Sequence, residues 1–246
     1  MHPETVKRLL ELNRQFYQTF ASQFSATRKR LQPGVRRFLS GIPLNADVLD
    51  IGCGNGELWQ ALINMGFEGN YIGLDFSAEL LEIARTRIRS DHSSQANFLQ
   101  ADICSPGWEL GLPQNSYRLI LAFAVLHHVP SMSLRVDILR LIRRLIAVDG
   151  TFIHSNWQFL NSPRLSNRIV PWEVIDLNEQ ELEPGDYLID WRHGGYGLRY
   201  VHHFDETELA QHAEESGFRS IMSYLSDGEG GKLGLYQVWS VEESNP

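Results

Sequence analysis

Apolar residues recur along this chain with two different periods. Over residues 4–21, Val6, Leu9, Leu10, Phe16, Tyr17 and Phe20 return every three or four positions, with Asn13 on the same stripe. That spacing predicts an amphipathic helix from Glu4 to about Ala21. Pro33 opens a second, short helix through Leu39. From Asp47 to Leu121 the period changes. Val48–Ile51, Tyr71–Asp75, Asn97–Ile103 and Tyr117–Phe123 are short apolar runs that predict strands, with a helical stretch, Glu57–Met65, after the first. Strand and helix in alternation are the signature of a parallel sheet with crossover helices. Ser131–Ile146 predicts a long amphipathic helix closed by Asp149-Gly150, and Thr151–Trp157 a fifth strand. Asp205–Ser216 predicts a helix with Gly217 as its stop. Arg219–Ser226 and Leu235–Val241 predict two strands joined by the glycine-rich stretch Asp227–Gly231, a hairpin signal.

Residues 158–203 break this alternation. They hold Pro163, Pro171, Pro184, Gly194-Gly195, Trp172, Trp191, Tyr187 and Tyr196, a composition too aromatic for disorder. A stretch of this kind inside a compact domain reads as a substrate lid, or as a small packed subdomain. The expected organisation is one domain over residues 1–246, with an N-terminal helical cap (1–40) and the 158–203 insertion.

Composition narrows the class. Hydrophobic content of 43% is ordinary for a globular chain. No run approaches membrane-spanning length, and the N-terminus lacks a signal pattern. Two cysteines, Cys53 and Cys104, read as free thiols in a reducing compartment, so a cytoplasmic protein is expected. The net charge of −8 argues against a broad nucleic-acid surface but leaves room for a local basic patch, such as Arg28, Lys29, Arg30, Arg36 and Arg37. Arg135, Arg140, Arg143 and Arg144 read as a solvated helix face.

The chemistry gathers at the strand ends. Asp50-Ile51-Gly52-Cys53-Gly54-Asn55-Gly56 places three glycines on alternate positions after a buried strand. Such a turn lets backbone approach a ligand closely. A dinucleotide fingerprint requires its third glycine at position 57, which here is Glu57, with the wrong sign for a pyrophosphate. Asp75 follows one strand–helix–strand unit later, where an acid can accept ribose hydroxyls, and Asp102 ends the third predicted strand. Together these residues resemble the class I S-adenosylmethionine-dependent methyltransferases. The resemblance implies a Rossmann-like, doubly wound α/β fold, its seven-stranded sheet mostly parallel with an antiparallel C-terminal strand. It implies S-adenosylmethionine as cofactor, bound by Asp50, Gly52, Cys53, Gly54, Gly56, Asp75, Phe76, Asp102, Ile103, Phe123 and Ala124.

Three further blocks are similar to the eukaryotic tRNA wobble-uridine carboxymethyl methyltransferases. They are Tyr17 with Phe24-Ser25-Ala26-Thr27-Arg28, then Ala124-Val125-Leu126-His127-His128, and Arg199-Tyr200-Val201-His202-His203-Phe204 with Glu208-Leu209. That resemblance brings Tyr17 and Arg28 to the cofactor and implies a tRNA carboxylate as acceptor, with a small zinc-binding protein as activator. A carboxylate acceptor needs no general base but wants a cationic partner, for which Arg28 and Arg199 are the candidates. A neutral hydroxyl or amine would want a base near neutral pKa, for which His127 and His128 are placed, just past the fourth strand. No metal site is expected, because adjacent histidines on extended backbone point to opposite faces and no zinc spacing surrounds them. Two other readings stand beside the tRNA enzyme: a small-molecule methyltransferase, and a non-catalytic module that keeps the cofactor fold to hold a partner.

Overall fold

A computed structural model of the chain describes residues 1–27, 30–88 and 95–242. The chain opens with helix α1 (Pro3–Thr27) and α2 (Pro33–Leu39). The alternating part follows as β1 (Val48–Ile51), α3 (Glu57–Asn64), β2 (Tyr71–Asp75), α4 (Ala78–Arg85), β3 (Ala96–Gln100), β4 (Tyr117–Phe123), α5 (Met132–Leu145) and β5 (Ile146–Trp157). The insertion carries α6 (Pro163–Ser166), β6 (Ile169–Val170), β7 (Asp186–Trp191) and β8 (Gly197–His202). Helix α7 (Glu206–Glu215), β9 (Phe218–Ser226) and β10 (Gly234–Val241) complete it.

Seven strands form one sheet in the order β3-β2-β1-β4-β5-β10-β9. The first five run parallel, and β10 lies antiparallel to both its neighbours. Helices cover both faces, which is why β1 is buried at every position and reads as an unbroken apolar run. One core cluster joins the sheet to α5 and α7 around Leu139, Ile142, Leu209 and Trp239. The other joins it to α2, α3 and α4 around Leu39, Trp59, Leu62 and Leu81. The strand order reverses between β1 and β4, and the crevice beyond their carboxyl ends is where open α/β sheets bind ligands.

Three expectations about where elements begin and end need correction. Helix α1 runs past Ala21 to Thr27, with a non-helical step at Phe20 (φ −112°, ψ 16°), because no glycine or proline stops it before Pro33. Strand β3 ends at Gln100, so Asp102 sits in the following turn, where its carboxylate accepts the Cys104 N–H (3.0 Å). Asp149-Gly150 does not close α5. The helix passes directly into β5 at Ile146, and the pair lies in a bulge of that strand.

The insertion is a three-stranded antiparallel sheet, ordered β6-β7-β8. It packs against α1 through Leu9, Trp172, Leu177, Leu188 and Tyr200. A buried ionic network ties it to the main domain, and here Arg135 departs from the solvated face expected of it. Arg135 is 1% exposed, on the α5 stripe with Ile138, Leu139 and Ile142. Its guanidinium donates to Glu183 (3.1 Å), Glu208 (3.2 Å) and the Val129 carbonyl (3.1 Å). His202 in β8 bridges Asp186 (2.7 Å) and Glu208 (2.9 Å). Burial alone would depress the His202 pKa, but these two carboxylates outweigh it and raise it.

Candidate active site

A cavity of about 240 Å³ opens at the carboxyl ends of β1, β2 and β4, and α1 forms its outer wall. The glycine turn supplies its floor. The Gly52 and Cys53 N–H groups both donate to the Leu74 carbonyl (2.7 and 2.9 Å), which pins the turn to β2. The three glycines do different work. Gly52 (φ +71°) turns the chain where a Cβ would lie 2.4 Å from Val125 Cγ2. At Gly54 (φ +55°) a Cβ would have no atom within 4 Å, so this position leaves a cradle open to the cavity. Gly56 (φ +75°) is off the cavity wall, where it lets α3 pack on Ala84 of α4.

The acids lie around this floor. Asp75 accepts the Gly54 N–H (2.9 Å) and the Ser77 N–H (2.9 Å), yet burial pushes its pKa up to about 6. Asp50 accepts the Tyr71 hydroxyl, and burial pushes it up to about 7. Neither carboxylate has an ion-pair partner among the described residues. Asp102 accepts Arg14 (Nη2–Oδ2 2.9 Å) at the rim. Phe76, Ile103, Phe123 and Ala124 also line the cavity, and the Phe76 ring meets the edge of Tyr17 (5.9 Å). Cys53 and Cys104 line it as neutral thiols, since burial raises both pKa values, that of Cys104 to about 12. Two buried, unpaired carboxylates beside an open glycine cradle fit a cationic ligand such as S-adenosylmethionine.

On the acceptor side, β4 is followed by Ala124, which holds φ +59°, a strained value for a non-glycine residue. A 3₁₀ turn, Leu126–His128, follows. The turn overturns the opposite-faces argument made for extended backbone, because it brings the His127 and His128 rings to 4.2 Å. His128 lines the cavity. Its Nε2 meets the Tyr17 hydroxyl (2.6 Å) and its Nδ1 meets the Tyr200 carbonyl (3.3 Å). A carbonyl can only accept, so the Nδ1 contact calls for a proton there, and in the neutral ring Nε2 then accepts from Tyr17. His127 is buried behind it, off the cavity wall, with Nδ1 accepting the Trp157 N–H (3.3 Å). Arg199 is also off the wall. Its guanidinium sits against the rings of Trp157 (4.7 Å), Phe16 (5.3 Å) and Trp191 (5.7 Å). Arg28 lies outside the described residues. Among the described residues no group of three His, Cys, Asp or Glu side chains is placed to hold a metal ion.

Sequence reasoning missed Asn13 as a polar anchor and Arg14 altogether. The one signal was helical spacing, which puts Leu10, Asn13, Arg14 and Tyr17 on one face, and all four line the cavity.

A family profile described as "Methyltransferase domain" matches residues 44–183. A Schizosaccharomyces pombe protein named tRNA (carboxymethyluridine(34)-5-O)-methyltransferase is 27% identical over 245 residues, covering 94% of this chain and 95% of its own. Among solved structures, a Burkholderia thailandensis 1,6-didemethyltoxoflavin-N1-methyltransferase, with that compound and S-adenosylhomocysteine bound, matches 99% of this chain and 92% of its own (16% identity, TM-score 0.66). A Haloferax volcanii methyltransferase in complex with the Trm112 methyltransferase activator matches 94% of this chain and 97% of its own (15% identity, TM-score 0.66). No helix among the described residues is long and apolar enough to cross a membrane.

Proposed function

The chain belongs to the S-adenosylmethionine-dependent methyltransferases, and on that premise we propose that it methyl-esterifies a carboxylate, the carboxymethyl group of a tRNA wobble uridine. The observation that carries this reading is the end-to-end similarity to the fission-yeast tRNA enzyme, which extends beyond the cofactor half into α1 and β8. S-adenosylmethionine, when bound, supplies an electrophilic methyl carbon on a sulfonium. The work left to the chain is to bind, orient and exclude water. Asp50 and Asp75 hold the cationic and ribose portions, Gly54 makes room for them, and α1 closes the cavity. A carboxylate acceptor is already ionised, so nothing need remove its proton. Arg199, off the cavity wall between Phe16, Trp157 and Trp191, is one candidate cation for it, and of these rings the half-buried Trp157 and Trp191 offer a stacking surface for a base. Arg28 is a second candidate cation. The Tyr17–His128 pair shapes the acceptor-side wall, and residues 158–203 back it through the Tyr200 carbonyl. A small activator protein of the Trm112 kind belongs to the same reading.

The test is transfer of label from methyl-labelled S-adenosylmethionine to bulk tRNA, with and without such an activator, followed by mild alkali. Label that enters the RNA and leaves with alkali is expected, because esters hydrolyse. Alkali-stable label would place the methyl on another kind of atom. No label despite cofactor binding in both conditions would point to a metabolite acceptor.

A pH dependence follows from the two raised acids. A cationic cofactor favours their ionised forms, so binding lowers both pKa values and releases protons. Affinity therefore rises with pH through the interval around 6 and 7 where the free acids ionise. We expect it to be about tenfold or more tighter at pH 8 than at pH 5.5. Calorimetry in two buffers of different ionisation enthalpy measures the proton release. A flat profile would mean that neither acid faces the cofactor's charge.

A further inference from the structure

We propose that Asn13 is a positioning residue that fixes the orientation and tautomer of His128. The proposal rests on the methyltransferase reading only in assigning His128 to the acceptor-side wall. Asn13 is buried in the middle of α1, and both polar atoms of its carboxamide have partners. Its Oδ1 accepts the Tyr200 N–H (2.8 Å). Its Nδ2 donates to the Tyr200 carbonyl (3.1 Å) and to the His128 carbonyl (3.1 Å). One side chain thus grips both backbone groups of a residue in β8, as a neighbouring strand would, and grips the 3₁₀ turn with its remaining hydrogen.

The geometry converges on one imidazole. The Tyr200 carbonyl that Asn13 holds is the same oxygen that meets His128 Nδ1 (3.3 Å). One helical turn further along α1, Tyr17 donates its hydroxyl to His128 Nε2 (2.6 Å). Asn13 fixes the acceptor for one ring nitrogen and the backbone of the ring's own residue, and Tyr17 occupies the other nitrogen. The imidazole therefore has one tautomer and one orientation, protonated at Nδ1. Asn13 does not touch the ring and acts through Tyr200 and the turn.

Without the carboxamide, the Tyr200 carbonyl is free to rotate away from Nδ1, and the ring's preference for the Nδ1–H form is lost. Nitrogen-15 NMR of the histidine rings reads this directly in the full chain with S-adenosylhomocysteine, and needs no acceptor. Wild type should show His128 as the Nδ1–H tautomer, and Asn13→Ala should show a mixture of tautomers in a chain that still unfolds cooperatively. Methyl transfer in Asn13→Ala should fall in kcat by about tenfold or more with KM for the acceptor nearly unchanged. The same substitution in a His128→Ala background should cost less than about twofold more. If Asn13→Ala does not fold, Asn13→Asp keeps an acceptor for the Tyr200 N–H but, when ionised, has no hydrogen for either carbonyl. Its His128 tautomer ratio should return toward wild type as acid protonates that carboxylate. A folded variant that keeps the wild-type tautomer, or equal kcat losses in both backgrounds, would overturn the proposal. A tautomer shift in a protein that methylates no tRNA would leave the positioning role standing and reject the acceptor.

Discussion

Gly54→Val should abolish binding of S-adenosyl compounds while the chain stays folded. Position 54 faces the cavity and has no atom within 4 Å of where a side chain would begin, so a branched side chain fits the free protein but occupies the ligand's space. The cost to the fold is the left-handed backbone, φ +55°, worth about 1–2 kcal/mol for a β-branched residue. In a domain of this size that lowers the melting temperature by only about 2–8 °C. The loss of affinity should exceed roughly 100-fold, about 2.7 kcal/mol. Gly52→Val is the contrasting variant. Its Cβ would lie 2.4 Å from Val125, so it should lose the turn and much of the stability together. Calorimetry with S-adenosylhomocysteine and a thermal melt of both variants decide the matter. Wild-type affinity in Gly54→Val would show that the ligand does not sit over the glycine turn.

Arg135→Met should destabilise the protein by about 3 kcal/mol, at the low end of the range for breaking a buried ion pair, because both glutamates keep some contact with solvent. The substitution keeps the packing against Phe204 but leaves Glu208 and Asp186 with His202 as their cation, while Glu183 keeps the N-terminal ammonium (3.4 Å). The loss should then depend on pH. The folded-state pKa of His202 is raised above 6.5, so its contribution is fully present below pH 6.5 and lost as pH rises through the folded value. Removing Arg135 removes a charge that lowers this pKa, and His202 then holds its proton to higher pH. Urea melts should therefore show a smaller deficit at pH 6 than at pH 8.5. An equal deficit at both would mean that His202 is not the compensating charge.

How far the sequence spoke depended on whether the signal was local. Val48–Ile51, Tyr71–Asp75, Tyr117–Phe123 and Pro33–Leu39 formed as the apolar runs and the proline indicated, residue for residue. Their shortness and the turn residues that bound them distinguish such strands from buried helix segments. The glycine turn and its acids were legible too, because a turn of that geometry needs those residue types side by side. What escaped was everything set by a distant partner. Arg135 looks like its neighbours Arg140 and Arg144 until Glu183 and Glu208 arrive from 48 and 73 positions away. Asn13 and Arg14 look like the polar edge of a stripe until Tyr200 and Asp102 meet them. The pairing of His127 with His128 turned on a single 3₁₀ turn, which two adjacent histidines do not announce.

Because Asn13 seats itself on Tyr200, α1 is made long before one of the partners that hold it in place. At ordinary rates of synthesis the ribosome needs roughly 10–40 s to add the 187 residues between them. During that interval the parallel strands can emerge and pair, while α1 waits on the nascent chain with its apolar stripe uncovered. A product stalled before β8 would keep most of its sheet yet have an unclosed cavity. Cofactor capture is thus a late event in the life of each molecule, and it marks a chain that has been translated through its insertion.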